Sequence, residues 1–586
     1  MKPTLDHSGA STRSDTSDRL MDSLHVPPTQ ALRHTQPSSD IVMSFDDDCA
    51  AMLGGQFAYE HPYYAQQLQT NPFTPMIDNR DVFQLQTYGA LRKGGAVALF
   101  SRQYYGYALS AACSGYMYVA IEFVLMRFPE ASLGVRPGSV KGLRDLLHLQ
   151  WAIVLVLGLL SDSYAPLGYR RNGYIVGGWV AVSAFWCVLF ALFQFSDQVF
   201  GVALPPANAA IACLTGAMLF LVVLTNATDI RIVELAQQEE LFARGTLVAS
   251  YQAVRIGAQV LLHSLVKLSG VSAHYTGANK TDVELSVSPL GVKLFVLHLG
   301  LLALVPIPFV LHRAFEPKLH CNAATSQFVE TCRQFWRSAQ QKAVWQLMAF
   351  NCVLYFFSFL EYRNVGSALA IWNQQSAAVK LSQSVVCDIV FVLALLAWKR
   401  FFVNANWVKS TALVLVSWTL VYCLGNSLIA LDVVRNASWL AMLMGSLKAA
   451  FRVLLLFSAF IPTIEVAQIG SEGTIFGLLS SFQAVVKALG AKLSEAVLKD
   501  ATGLQINLKG IASLGASPRV FHWVLVLTGV KLLALTALVF CLQQKLDAQQ
   551  LRIYGGYSRM ALLVFVVAYA LSYPYVTYLQ FKELSV

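Results

Sequence analysis

The sequence predicts an all-α polytopic membrane protein, and three observations carry that reading. Of 586 residues, 56% are hydrophobic and only 13% are charged, against about a quarter charged in an average soluble protein. Mean hydropathy is +0.53. The apolar residues gather in runs of about 20, the length an α-helix needs to cross the hydrocarbon core. The same figures exclude a soluble enzyme, a disulfide scaffold and a disordered chain. The ten cysteines are scattered without a CxxC pair, and most, such as Cys187, Cys213 and Cys387, sit inside apolar runs. There they act as small hydrophobes. No disulfide framework, metal site or cofactor is read.

Residues 1–102 differ in composition from the rest. The first forty are rich in Ser, Thr, Asp and Pro, and the segment holds 8 Lys/Arg against 11 Asp/Glu. Its net charge is therefore −3, so the remainder carries +13 to give the formal +10 of the whole chain. No apolar stretch of signal-peptide length follows Met1, and the acidic residues argue against an organellar transit peptide. The expectation is a disordered cytosolic tail.

Membrane spans are expected near 103–126, 145–163, 173–195, 205–228, 246–269 and 289–311. They resume near 343–362, 376–398, 410–431, 438–461, 474–497 and 519–542. Two six-helix bundles, 103–311 and 343–542, are thus joined by a polar linker, 312–342, with Arg313, Lys318, Arg333 and Arg337. Pro306 and Pro308 predict a kink in span 6. The extension 543–586 holds a thirteenth candidate from Met560 to Leu579, interrupted by Tyr573-Pro574-Tyr575. Crossing the bilayer and lying at its interface both remain open for that segment. With the tail inside, cytosolic loops and flanks hold 18 Lys/Arg and external segments 11, which favours this orientation. The sequons at Asn279 and Asn436 then fall outside, while that at Asn226 lies at a helix end.

Six helices, a linker and six more helices is the plan of the major facilitator superfamily. The loop between spans 2 and 3 is the most informative stretch. It reads Gly158-Leu-Leu-Ser-Asp162-Ser-Tyr-Ala-Pro166-Leu-Gly168-Tyr-Arg170-Arg171. Gly158 permits close helix approach, Pro166 and Gly168 make a tight turn, and Asp162 with the Arg pair can exchange partners as two bundles rock. The insertion ending Pro-x-Gly-Tyr-Arg-Arg resembles the folate–biopterin transporter family. Asp229 and Glu234, an Asp-x4-Glu pattern after span 4, are similar to the same family, although Thr225 stands where it usually has another Asp. Arg231 can pair with Glu234 on one helix face. A third similar stretch follows span 10, from Pro462 through Glu465 to Gly470-Ser-Glu472-Gly473, with Gln483 near the position of a family Asn. The resemblance covers residues 100–545. It implies a major facilitator fold that carries folates, pterins or related metabolites, driven by protons.

Ionisable residues at membrane depth are functional candidates, because a mid-bilayer charge costs about 2.5–3.5 kcal/mol on insertion scales. Span 5 holds Arg255, span 10 holds Lys448 and Arg452 four residues apart, span 11 holds Lys487 and span 12 holds Lys531. Two readings stand for these five cations. They can bind the anionic end of a substrate, Arg gripping a carboxylate through paired hydrogen bonds, or they can snorkel and pair structurally. Asp388 in span 8 and Glu122 in span 1 are the candidate proton-coupling carboxylates, with a structural salt bridge from Asp388 to Lys448 or Arg452 as the other reading. Asp162, Arg170, Arg171, Asp229, Glu234, Glu465 and Glu472 read as a gate or as folding ion pairs. His263 and His522 read as packed residues, and the Tyr104-Tyr105-Gly106-Tyr107 run reads as an interfacial belt.

The expectation is therefore a transporter and no enzyme: a multi-pass protein of the plasma membrane or an organelle, monomeric, without nucleic-acid partners. Its partners are the lipid bilayer, a small organic anion (folate or pterin first) and H+. Transport of another small metabolite, and a non-transporting receptor or scaffold, are the alternatives.

Overall fold

The computed structural model describes residues 89–127, 137–200, 207–268, 273–275, 283–285, 289–318, 324–373, 377–434, 437–501 and 517–585. The expected tail up to residue 88 and the sequons at Asn279 and Asn436 lie outside these residues. The described chain is almost wholly helical, and eleven of its helices are long and apolar enough to cross a membrane.

Span 1 is α1 (Tyr105–Arg127). Span 2 is α2 (Pro137–Leu149), a 3-10 turn (Gln150–Ile153) and α3 (Val154–Ser163). Spans 3, 4 and 5 are α4 (Asn172–Phe200), α5 (Ala207–Ala236) and α6 (Thr246–Leu268). A small antiparallel pair, β1 (Ala273–Tyr275) and β2 (Val283–Leu285), follows α6. Span 6 is α7 (Pro289–Leu304) and α8 (Pro306–Arg313), divided at Val305 beside its prolines. The linker carries an amphipathic helix, α9 (Ala324–Ala339).

In the second bundle, span 7 is α10 (Lys342–Ser358), ending short of the expected 362, and a further helix, α11 (Arg363–Trp372), follows the non-helical residues 359–362. Spans 8, 9, 10 and 11 are α12 (Ala377–Ala397, extended by a π-turn, Trp398–Phe402), α13 (Trp407–Ala430), α14 (Ser438–Val466) and α15 (Glu472–Ala501). Span 12 is α16 (Pro518–Leu532) continued by a 3-10 stretch (Leu533–Phe540). A polar helix, α17 (Lys545–Tyr554), precedes the thirteenth span, α18 (Arg559–Ser585), which runs unbroken through Pro574.

The two bundles repeat one packing scheme. Span 1 packs on span 5 as span 7 packs on span 11, and span 3 on span 6 as span 9 on span 12. Two seams join the bundles, span 2 against span 11 and span 5 against span 8. α18 lies along the first of these. It begins beside Gln340, whose carbonyl accepts from Ser558 N at 2.8 Å. Tyr569 Oη then donates to Ala152 O in the 3-10 turn of span 2, at 2.7 Å, and Phe482 of span 11 packs on the same ring. α18 thus follows span 2 through its depth and touches both bundles.

Candidate functional site: a buried ion-pair layer and three exposed mid-helix cations

The layer at the tail-side end begins with a backbone contact. A Cβ on Gly158 would stand 2.1 Å from the Gly473 carbonyl, and one on Gly477 would stand 2.6 Å from that of Val154. Only glycine allows α3 and α15 this approach. Gly473 and Gly477 are four apart, the small-xxx-small spacing that lets membrane helices touch. The contact brings Asp162 over the first turn of α15. Its carboxylate accepts from Thr474 N at 2.7 Å, Thr474 Oγ1 at 2.5 Å and Gly473 N at 3.3 Å. A carboxylate of one bundle therefore caps a helix N-terminus of the other, where backbone N–H groups and the helix dipole favour a negative charge.

The arginines complete the layer. Arg171 is fully buried, with Nη2 2.5 Å from Asp162 Oδ1 and Nε 2.8 Å from Glu234 Oε1. Arg170 lies 2.9 Å from Asp162 and 3.6 Å from Glu472, and also donates to the Gly470 carbonyl. Pro166–Gly168 forms the tight turn ahead of the pair, with Leu167 at φ 62°. Arg231 holds the second oxygen of Glu234 at 2.8 Å. Glu465, fully buried, accepts from Arg244 at 2.6 Å and from Gln549 of α17 at 2.7 Å. At the other seam, Lys399 Nζ donates to Ser250 Oγ at 2.8 Å. The layer thus joins the bundles at several points, and its charges are taken out of water in pairs, as buried charges must be.

Several members are not evident from the sequence. Glu316, at the end of span 6, accepts from Arg171 N at 2.8 Å and Asn172 N at 2.7 Å, capping α4. Burial raises its carboxyl pKa above the ordinary value, against the pull of Arg231. Tyr107 is fully buried and donates to Asn172 Oδ1 at 2.9 Å, so it is part of this layer and not of an interfacial belt. Arg244 lies just ahead of span 5, where a charge reads as solvated until the opposing bundle is placed on it, and Thr474 lies in the first turn of α15.

Among the five intramembrane cations the structure separates two groups. Lys448, Arg452 and Lys487 are exposed at mid-helix. Two of them, Arg452 and Lys487, lie near charges of the other bundle. Arg452 acts electrostatically on Tyr118 and Glu122 of span 1, and Lys487 on Glu122 and Arg144. Arg452 lies over the Phe391 ring at 5.1 Å and Lys487 over Phe359 at 4.9 Å. None of the three forms a salt bridge with a described carboxylate. The other two are engaged. Arg255 is 3.1 Å from Asp229, which also accepts from Tyr251 Oη at 2.7 Å. Lys531 is buried and donates to the carbonyls of Ser358 and Leu360, at 3.0 and 3.2 Å. Those carbonyls are the ones freed by the break in span 7, and an unwound segment at this depth needs such a donor.

The two candidate carboxylates also have partners. Asp388 Oδ2 is 2.7 Å from His263 Nδ1, across the span 5–span 8 seam, and not paired with Lys448 or Arg452. Glu122 lies 3.0 Å from His148 Nε2 and 3.7 Å from Arg144, and His148 Nδ1 is 2.9 Å from Tyr118 Oη. Gln483 donates to Asn351 at 2.7 Å. His522 Nδ1 is 2.6 Å from the Pro518 carbonyl, and Asn226 is buried inside α5. Among the described residues no cluster of His, Cys, Asp and Glu could hold a metal ion.

Two six-helix bundles with paired seams and a closed layer at one end are the architecture of the major facilitator fold. An auto-inhibited peptide transporter of the POT family has a similar structure, with a TM-score of 0.50, 13% identity, and 75% of this chain and 96% of that chain covered. A fucose transporter of the major facilitator superfamily, FucP in the outward conformation, gives 0.48 at 12% identity over 74% and 97% of the two chains. The E. coli fucose:proton symporter gives 0.47 at 11% identity over 75% and 99%. No family model and no curated protein sequence matches the chain.

Proposed function

We propose that the chain is a proton-coupled secondary transporter of a small organic anion, working by alternating access, with folates and pterins the favoured substrates. The observation that carries the reading is the trio Lys448, Arg452 and Lys487, exposed at mid-span with no salt-bridge partner among the described residues. Three cations held this way at membrane depth are costly unless an anion neutralises them. A ligand with two carboxylates answers three cations better than a monoanion does. Phe391 and Phe359, under Arg452 and Lys487, supply flat surfaces beside the charges for a ring. The choice of folate or pterin rests on the sequence resemblance.

In this reading the tail-side end is cytosolic and the state described is closed toward the cytosol. Asp162, Arg170, Arg171, Glu234, Glu465 and Glu472 act as its gate, and Gly158, Pro166 and Gly168 shape the contact. Asp229 with Arg255, and Lys531, serve the fold. Asp388 is the proton-binding carboxylate, with His263 as its partner, and Glu122 with His148 is a second titratable pair. Uptake into proteoliposomes of labelled folate, biopterin and an unrelated anion, with and without a pH gradient, tests the reading. Saturable uptake that rises with an inward proton gradient is expected. Absence of uptake of every anion would leave a receptor or scaffold as the better account.

A further inference from the structure

We infer that the segment Gly89–Arg92, just ahead of span 1, is a latch that holds the tail-side gate shut. It is not a loose lead-in to the membrane. Leu91 N and Arg92 N both donate to the Gln237 carbonyl, at 2.9 and 3.1 Å, at the end of span 4. The Gly89 carbonyl accepts from Arg244 of the same bundle. Ala90 and Leu91 are buried, 6% and 8% exposed. The chain then turns away at Gly94, φ +129°, over the Gln238 side chain.

The same four residues also reach the second bundle. The Arg92 guanidinium pairs with Glu472, the first residue of α15, whose side chain is fully buried. Both anchor residues in the first bundle are themselves bridges. Gln237 Nε2 donates to the carbonyls of Ile464 and Ala467, each at 3.2 Å, and Arg244 holds Glu465. The latch therefore sits on the cross-bundle contacts and adds one of its own. When the bundles part at this end, Glu472 and Gln237 move apart, and a segment four residues long cannot keep both. Opening must break the Arg92–Glu472 pair or pull Gly89–Leu91 from their site. The latch thus favours the tail-side-closed state, and tension or binding on the chain ahead of Gly89 gains a direct hold on the gate.

The inference rests on the alternating-access reading, so the test separates the two. Spin labels at Leu311→Cys and Val539→Cys, exposed at the tail-side ends of spans 6 and 12, report the separation of the bundles in a background without other cysteines. Electron–electron double resonance on the full-length protein gives the distance distribution. Arg92→Gln is expected to raise the long-distance, open population relative to the closed one by roughly tenfold, the weight of one charge-assisted hydrogen bond. Leu91→Asp, which disrupts the buried anchor and leaves Arg92 in place, is expected to shift the distribution the same way, and Arg92→Lys much less. Arg171→Gln serves as the gate control. If Arg171→Gln opens the protein while Arg92→Gln and Leu91→Asp do not, the latch is refuted and the gate stands. If none of the three moves the distribution, both are refuted.

Discussion

Arg452 is the residue on which substrate binding should depend most. It combines permanent charge, mid-span position and an aromatic face beneath it. Removing one charged hydrogen bond costs about 1.5–3 kcal/mol, so Arg452→Gln should weaken anion binding by at least roughly tenfold, read as the Kd for labelled folate or biopterin in detergent. Lys531 shows the opposite case. It looks the same in the sequence, an isolated cation in an apolar run, yet its ammonium is spent on the two carbonyls at the break in span 7. Lys531→Met should lower the thermal unfolding midpoint by several degrees and leave the Kd unchanged. For Asp388, the Asn variant keeps a hydrogen bond to His263 and loses the titratable charge. It should lose uphill uptake driven by a pH gradient while sparing substrate exchange, and uphill uptake at the wild-type rate would rule Asp388 out as the coupling group.

At the scale of elements, the seam between α3 and α15 is set by hydrogen atoms in place of side chains. Gly158→Val would place carbon within van der Waals overlap of the Gly473 carbonyl. The helices would have to part, and Asp162 would lose its place over the first turn of α15. The expected outcome is loss of folded protein, seen as a missing monodisperse peak on size-exclusion chromatography; the milder Gly158→Ala should fold poorly but measurably. Eleven of the thirteen expected spans coincide with helices long and apolar enough to cross a membrane, legible because bilayer thickness imposes one length on every crossing. The spacing Gly158 to Arg171 also marked out the loop that joins the ion-pair layer, since glycine, proline and paired charges each have a local meaning. What was not legible is whatever depends on the opposing bundle. His263 and Asp388 are 125 residues apart and on different bundles, and nothing local links them. Tyr107 reads as interfacial until α4 and α5 close over it. The break at 359–362 is hidden because Phe359 and Leu360 are as apolar as the helix around them.

For the whole molecule, the proposed alternating-access cycle has closed and open states that differ by the ion-pair layer at one end. Breaking a buried pair by removing one partner costs about 3–5 kcal/mol, but that cost falls on the closed state alone when the open state exposes both groups to water. Arg170→Gln should therefore slow or unbalance the transport cycle more than it weakens binding: the turnover number for uptake should fall several-fold, with the Kd nearly unchanged. An equal loss of affinity would count against a gate. The resemblance in the loops and the three exposed mid-helix cations are independent supports for the proposed reading.

α18 has a consequence for which side of the membrane each part of the chain faces. It follows span 2 through its depth, from Tyr569 beside Ala152 to Gln580, whose side chain donates to the Asp145 carbonyl at 3.4 Å near the far end of that span. Twelve crossings return a chain to the side it left, and a thirteenth does not. In the proposed thirteen-crossing topology Gly89 and Ser585 face different compartments, and a fluorescent or protease-sensitive tag joined after Ser585 should report the compartment opposite to one joined ahead of the latch.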